Sequence, residues 1–205
     1  LKGDFMNSFF LSVLVLYGSI VSIFMQPFPP ADTSDFTPVM RFIITSDSHI
    51  TTIGDVQTSR LEKMIKFGYR EAKKDPNYKN LDAVLIAGDV TDMGTKIAFG
   101  SIKAATVPVL RGDTQFLATV STSHDDRNLG KESLALYEKI MGQETDFHRV
   151  INGFHFIGIS ASKIEGEHYS EYQKEWLVKE LDKAVADDPS KPIFVLQHEH
   201  ISNTV

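Results

Sequence analysis

The stretch FIITSDSHI, residues 42–50, places an aspartate and a histidine directly after a run of apolar residues. Aromatic and β-branched residues such as Phe42, Ile43 and Ile44 favour a buried strand. Asp47 and His49 are costly in a dry interior unless another group pairs with them. The stretch therefore predicts a strand whose carboxyl end carries polar side chains, with a partner elsewhere in the chain.

The composition limits the classes of function. The 205 residues suffice for one α/β domain with a real core. The net charge of −6 gives no general attraction to phosphate backbones, so we expect no nucleic-acid-binding patch. Cysteine is absent from the sequence, which excludes disulfides, thiolate zinc sites and cysteine nucleophiles. Any metal must therefore bind to histidine, aspartate, glutamate, asparagine or hydroxyl ligands.

The amino-terminal part differs from the rest. Residues 9–25 form an uncharged apolar run, and about 17 residues is the minimum for crossing a bilayer. We predict a signal or membrane-anchor segment within residues 1–26, with a buried core helix as the alternative. Prolines in residues 27–38 predict a stiff tether, followed by one domain over residues 39–205. This organisation predicts an exported or membrane-anchored, extracytoplasmic protein.

Strand and helix patterns alternate along the domain. Apolar runs predict strands at residues 40–45, 83–89, 115–120 and 192–197, with helices between them. Asn152 and Gly153 lie between two further strand-like runs and predict an antiparallel hairpin. We therefore predict an α/β fold with a mixed, mainly parallel sheet and helices packed on it.

Two helices carry a capping signal. Ser59 with Glu62 predicts the start of the first helix, and Ser170 with Gln173 predicts the start of the last. Helical spacing predicts that the last helix buries a single apolar face. Its members are Tyr172, Trp176, Leu177, Leu181 and Val185.

Acidic and histidine side chains follow four of the predicted strands. They are Asp47 and His49, Asp89 and Asp92, His124 and Asp125, and His198 and His200. Each set taken alone is typical of a turn, a cap or a solvated histidine. The carboxyl ends of parallel strands meet at one edge, where imidazoles and carboxylates together have the ligand chemistry of a transition-metal site. The remaining histidines, His148, His155 and His168, are predicted to be structural or solvated.

These motifs resemble the calcineurin-like metallophosphoesterases. The ordered matches are DSH at residues 47–49, GDVTD at 88–92, TSHD at 122–125 and LQH at 196–198, and YSEYQKEWLVKEL at 169–181 is similar to exported bacterial members. The resemblance implies a β-sandwich flanked by helices. It also implies hydrolysis of a phosphomonoester or phosphodiester, on a small molecule or a protein, by hydroxide that two divalent metal ions activate. Iron, manganese, zinc and cobalt all suit such ligands.

The resemblance also implies roles for individual residues. Asp47 and His49 would bind one metal ion, Asp89 would bridge both, and His198 would bind the second. Ser123 stands at the position of the family's asparagine ligand. His124 would act near the leaving oxygen, oriented by Asp125, and Asp92 would support the loop or a ligand.

Two departures from the family pattern stand out. Thr122 and Ser123 replace a glycine and an asparagine, and a serine hydroxyl is a weaker ligand, so we predict a loosened second metal site. The sequence ends at Val205 before the family's final Gly-His-x-His motif and the last strands, which predicts a piece of a longer protein. His200, directly after the last strand, is not expected to replace that motif.

The departures motivate an alternative function, a catalytically inactive or binding-only relative. A receiver-type α/β domain that binds Mg²⁺ is a further alternative, which the histidine ligands disfavour.

Overall fold

A computed structural model describes residues 36–128, 130–161 and 169–199. The predicted segment 1–26, His168 and His200 lie outside these ranges. Within them the chain forms strands β1–β6 and helices α1–α4. The strands are β1 (Phe42–Thr45), β2 (Ala83–Ala87), β3 (Gln115–Thr119), β4 (Phe147–Ile151), β5 (Phe154–Gly158) and β6 (Ile193–Leu196). The helices are α1 (Val56–Ala72), α2 (Lys96–Thr106), α3 (Lys131–Met141) and α4 (Glu171–Asp187). No helix among the described residues has the length and hydrophobicity that a membrane crossing requires.

The strands form two three-stranded sheets. Sheet 1 has the order β1-β2-β3 with both pairs parallel, and Phe42 lies opposite Ala83. Sheet 2 has the order β4-β5-β6, in which β4 and β5 are antiparallel and β6 is parallel to β5. Asn152 and Gly153 connect β4 and β5 with φ angles of 52° and 77°, which confirms the predicted hairpin. The predicted mixed, mainly parallel α/β fold is confirmed.

Two apolar clusters lie between the layers of the fold. The first joins sheet 1 to α1, α2 and α3 and includes Ile65, Phe99 and Tyr137. The second lies between the sheets, where Phe156 stacks on Phe194 and meets Phe42 edge to face. Because side chains alternate along a strand, His155 points away from this core toward α4. The result is a β-sandwich with helices on its outer faces.

The predicted start of α1 is wrong. The helix begins at Val56, and Asp55 is its N-cap, so Ser59 lies within the first turns. The Asp55 carboxylate accepts hydrogen bonds from the backbone N–H groups of Thr51, Thr52 and Thr58. Burial raises the pKa of Asp55, but these hydrogen bonds outweigh it and hold the pKa well below its ordinary value. Because the Asp55 carboxylate accepts hydrogen bonds from N–H groups of the preceding loop as well as of the helix, it is a better N-cap than Ser59.

The start of α4 is confirmed, whereas its predicted buried face is only partly confirmed. Ser170 and Gln173 form the reciprocal capping box. Tyr172 and Val185 are 75% and 50% exposed, and the predicted Trp176, Leu177 and Leu181 are half-buried. The buried residues of α4 are Gln173, Glu180 and Ala184. The reason is the surface beneath the helix, because sheet 2 presents His148 and His155 there and a polar helix face matches them.

Candidate metal centre

The loops after β1 and β2 are joined by backbone hydrogen bonds. The N–H groups of Asp47 and His49 donate to the carbonyls of Gly88 and Asp89, at 3.2 and 3.0 Å. Ile50 and Thr91 continue the pairing as an isolated parallel bridge. This pairing holds the two predicted ligand motifs side by side beyond the ends of the strands.

Three predicted ligands lie in strained backbone. Asp47, His49 and Asp89 have φ angles of 55°, 43° and 47°, in the left-handed region that side chains disfavour. Each such residue costs about 1–3 kcal/mol and persists where the surrounding structure requires it, often at functional sites. Gly88 allows a further close approach, because a Cβ at this position would overlap the side chain of His198. His198 follows β6, so this contact brings sheet 2 to the site.

The predicted ligands converge on Asp89. One group consists of His49, Asp89 and His124, and a second of Asp47, Asp89 and His198, with the ligand atoms of each group within 4.8 Å of one another. The Asp89 carboxylate lies 3.7 Å from His49 Nε2, 3.9 Å from His124 Nε2 and 3.4 Å from His198 Nε2. Asp89 is thus the only residue shared by the two groups found among the described residues.

The His198 imidazole is oriented for metal binding. His198 Nδ1 donates to the carbonyl of Ala87 at 2.8 Å, which leaves Nε2 bare and facing Asp89. A hydrogen bond on the other ring nitrogen is the usual way in which proteins orient a histidine ligand. Three imidazoles with two carboxylates suit a divalent transition metal, and the donors present fit such ions.

The charge of Asp89 is stabilised from two sides. Burial raises the pKa of its carboxyl, but hydrogen bonds from Ser121 and Ser123, together with His198 and His124, outweigh burial and lower the pKa. The Ser123 hydroxyl donates to Asp89 Oδ1 at 2.7 Å, and the Ser121 hydroxyl donates to the same oxygen. Ser121 was not among the residues singled out from the sequence. Its position directly after a buried strand, in the same loop as Ser123, is the sequence feature that could have identified Ser121 as part of the site.

The calcineurin-like phosphoesterase family model matches residues 40–204. This chain belongs to that family. A probable cyclic nucleotide phosphodiesterase from Rhodococcus erythropolis is similar to it, with 27% identity over 165 residues. The match covers 75% of this chain and 50% of that relative, so the chain spans about half of the relative's length.

As a member of the calcineurin-like family, the chain was expected to pair Asp47 with His49 and to keep His124 outside the ligand groups. Asp47 Oδ1 lies 3.7 Å from His49 Nε2, which is compatible with that pairing, and two further groups of close ligand atoms join Asp47 with His198 and His49 with His124 around Asp89. The rings of His49 and His124 meet edge to face with centroids 4.4 Å apart. Asp89 belongs to both groups, so its predicted position between two metal ions does not depend on how the other ligands are divided between them.

The expected contact between Asp125 and the His124 ring is replaced by a different one. His124 Nδ1 lies 3.1 Å from the Asp92 carbonyl and 3.3 Å from the Asp92 carboxylate, so Asp92 orients the ring. The fully buried Asp125 accepts from the backbone N–H groups of Val90, Thr91 and Ser121. Burial raises the pKa of Asp125, and these donors oppose the rise. Asp125 therefore ties the loop after β2 to the loop after β3.

Proposed function

We propose that this protein hydrolyses a phosphomonoester or phosphodiester, using two divalent cations held by Asp47, His49, Asp89 and His198. The observation that carries the proposal is the shared position of Asp89, whose carboxylate belongs to both groups of potential ligands. When bound, a pair of divalent cations polarises a phosphoryl group and lowers the pKa of water, so that a nucleophile is available near neutral pH.

The side chains around Asp89 supply the remaining requirements. The His124 Nδ1–H donates to the Asp92 carbonyl, so Nε2 points to the space beside Asp89, where the ring, as an imidazolium, can donate a proton to a leaving oxygen. Asp92 and Asp125 act as positioning residues, Asp92 on the ring and Asp125 on both loops. A cavity of about 360 Å³ opens beside Asp47 and His49, with room for the organic part of an ester.

The name of the bacterial relative suggests the first substrate class to test. We propose a cyclic nucleotide, whose phosphodiester contains the type of bond that this site would cleave. For residues 9–25 we propose an export signal or membrane anchor, on the apolar run in the sequence alone.

The proposal is tested with Asp89→Asn. Mn²⁺ binding is measured by calorimetry, and turnover is measured with 3′,5′-cyclic AMP, bis(p-nitrophenyl) phosphate and p-nitrophenyl phosphate. We expect the variant to lose turnover and to bind Mn²⁺ at least about tenfold more weakly, because both groups lose their shared carboxylate. Asp113→Asn, at an exposed position in the turn before β3, is the matched control and should behave as wild type.

Two other results have clear meanings. Wild-type protein that binds Mn²⁺ but hydrolyses none of the three substrates favours the binding-only alternative, which the serine at position 123 motivates. Equal turnover in Asp89→Asn and wild type contradicts the proposed site.

A further inference from the structure

Four ionisable side chains form a hydrogen-bonded row between sheet 2 and α4, away from the candidate metal centre. Glu180 Oε2 is 2.7 Å from His148 Nδ1, His148 Nε2 is 2.7 Å from His155 Nδ1, and His155 Nε2 is 3.1 Å from Asp187 Oδ2. His155 is 5% exposed and Glu180 is 7% exposed, so most of this row of side chains is shielded from water. The order is carboxylate, imidazole, imidazole, carboxylate.

Counting protons shows that two neutral imidazoles cannot form hydrogen bonds at all three contacts between these four side chains. Each of these contacts needs one hydrogen, and ionised carboxylates supply none. Two neutral imidazoles carry two hydrogens, which leaves one contact with a lone pair on each side. The nitrogens of His148 and His155 are 2.7 Å apart, a hydrogen-bond distance at which two lone pairs would repel. A third proton makes all three contacts favourable.

The third proton belongs to the histidine pair. The Asp187 side chain is 62% exposed and has water available to stabilise its negative charge. The hydrogen bond from His148 and that from Lys183, at 2.6 Å, lower the pKa of Glu180. Both carboxylates are therefore acceptors, and the pair of rings between them is the cation.

The attachment of α4 depends on polar contacts of this kind. Tyr172, Val178 and Val185 face solvent, and Ala184 is the one apolar side chain of α4 that is fully buried, while Trp176, Leu177 and Leu181 are half-buried. Its polar contacts are Gln173, which donates to Asp146 and to the Ser160 carbonyl, together with Glu180 and Asp187. We propose that His148 and His155 together hold one proton more than two neutral imidazoles, and that the loss of this proton at alkaline pH loosens α4 from sheet 2.

The sign of the effect follows from proton linkage. When α4 leaves, both rings enter water, where an ordinary imidazole is neutral above about pH 6.5. The docked state then binds one proton more than the open state, so opening becomes easier as the pH rises, by up to about tenfold per pH unit. The other charged groups at this interface are Lys183 on Glu180, Arg149 beside the His148 carbonyl, and Lys191 near Asp188. None of these three contacts lies between the imidazoles and their carboxylates.

The test combines hydrogen exchange with nitrogen NMR on the whole protein. Protection factors of α4 amides, corrected for intrinsic exchange, are measured from about pH 5 to pH 9. Amides of residues 65–72 in α1 serve as the internal reference. Above about pH 6.5 we expect α4 protection to fall relative to α1 as the pH rises, because the docked state then holds the extra proton; below that pH both free rings bind protons and protection should fall again on acidification. The ¹⁵N shifts should count three protons on the four ring nitrogens while α4 is docked.

His155→Gln is the matched variant. Its amide can accept no extra proton, yet it can donate to His148 or to Asp187, so the pH dependence of α4 protection should disappear. Two protons on the wild-type rings at about pH 6.5, or α4 protection that does not vary with pH, would overturn the proposal. Both readouts use the wild-type protein, so the proposal can be tested even where the variant does not fold.

Discussion

In the proposed two-cation site, the side chain of Ser123 would weaken the binding of the second cation. Its hydroxyl donates to the Asp89 carboxylate and stabilises its charge, and its short side chain offers only a weak ligand atom to a metal ion. The amide oxygen of asparagine is a better hard ligand, and asparagine stands at this position in the calcineurin-like pattern. The candidate site therefore has the shared Asp89 carboxylate but a weak potential ligand at position 123.

Ser123→Asn should therefore strengthen metal binding. We expect the weaker of two Mn²⁺ binding steps to tighten by about tenfold, with higher turnover at low metal concentration. Calorimetric titration measures both steps. Ser190→Asn, at an exposed position far from Asp89 in sequence, is the control. Unchanged affinity and activity in Ser123→Asn would show that residue 123 has no ligand role.

At the scale of elements, Asp55 and Ser59 are the two residues proposed as the N-cap of α1, from the structure and from the sequence respectively. We predict that Asp55→Ala lowers the free energy of unfolding by about 1 kcal/mol, because Asp55 caps the helix. Ser59→Ala should change it by less than about 0.5 kcal/mol, because Ser59 lies inside the helix. Urea unfolding monitored by circular dichroism measures both. Equal losses would restore Ser59 as the cap.

The pH dependence of the Asp55 contribution has a definite sign. The pKa of Asp55 is lower in the folded protein than in the unfolded chain, so its contribution is complete above the unfolded value and declines as the pH falls. The difference between wild type and Asp55→Ala should be constant above about pH 5 and shrink below about pH 4. A difference that grows on acidification would contradict this assignment.

Elements whose signal is local were predictable from the sequence. The buried strands, the turn at Asn152 and the capping box at Ser170 each depend on a few neighbouring residues. The buried face of α4 depends on what lies beneath it, and the apolar spacing of Tyr172 could not reveal that sheet 2 presents histidines there. Strand-end position likewise brought the metal-centre residues together, whereas the partner of His124 depended on how Asp92 folds back toward it.

At the scale of the whole molecule, the candidate metal centre draws its potential ligands from both sheets. Asp47, His49, Asp89 and His124 follow strands of sheet 1, and His198 follows β6 of sheet 2. A cation held by both sheets binds only the folded arrangement, so metal should stabilise the protein as a whole. At a Mn²⁺ concentration of about 100 times Kd, the expected gain is about 2.7 kcal/mol for one site.

This coupling predicts a rise in Tm of about 5 to 10 °C on adding Mn²⁺, given the usual change for a domain of this size. Differential scanning calorimetry with and without Mn²⁺ measures the shift, and EDTA should reverse it. Asp89→Asn should show a much smaller shift, because it removes the shared carboxylate, while Asp113→Asn should match wild type. A shift of equal size in Asp89→Asn would mean that Mn²⁺ acts elsewhere on the protein, since the bridging carboxylate is the contact through which the His198 loop and the sheet 1 loops would hold the same ion.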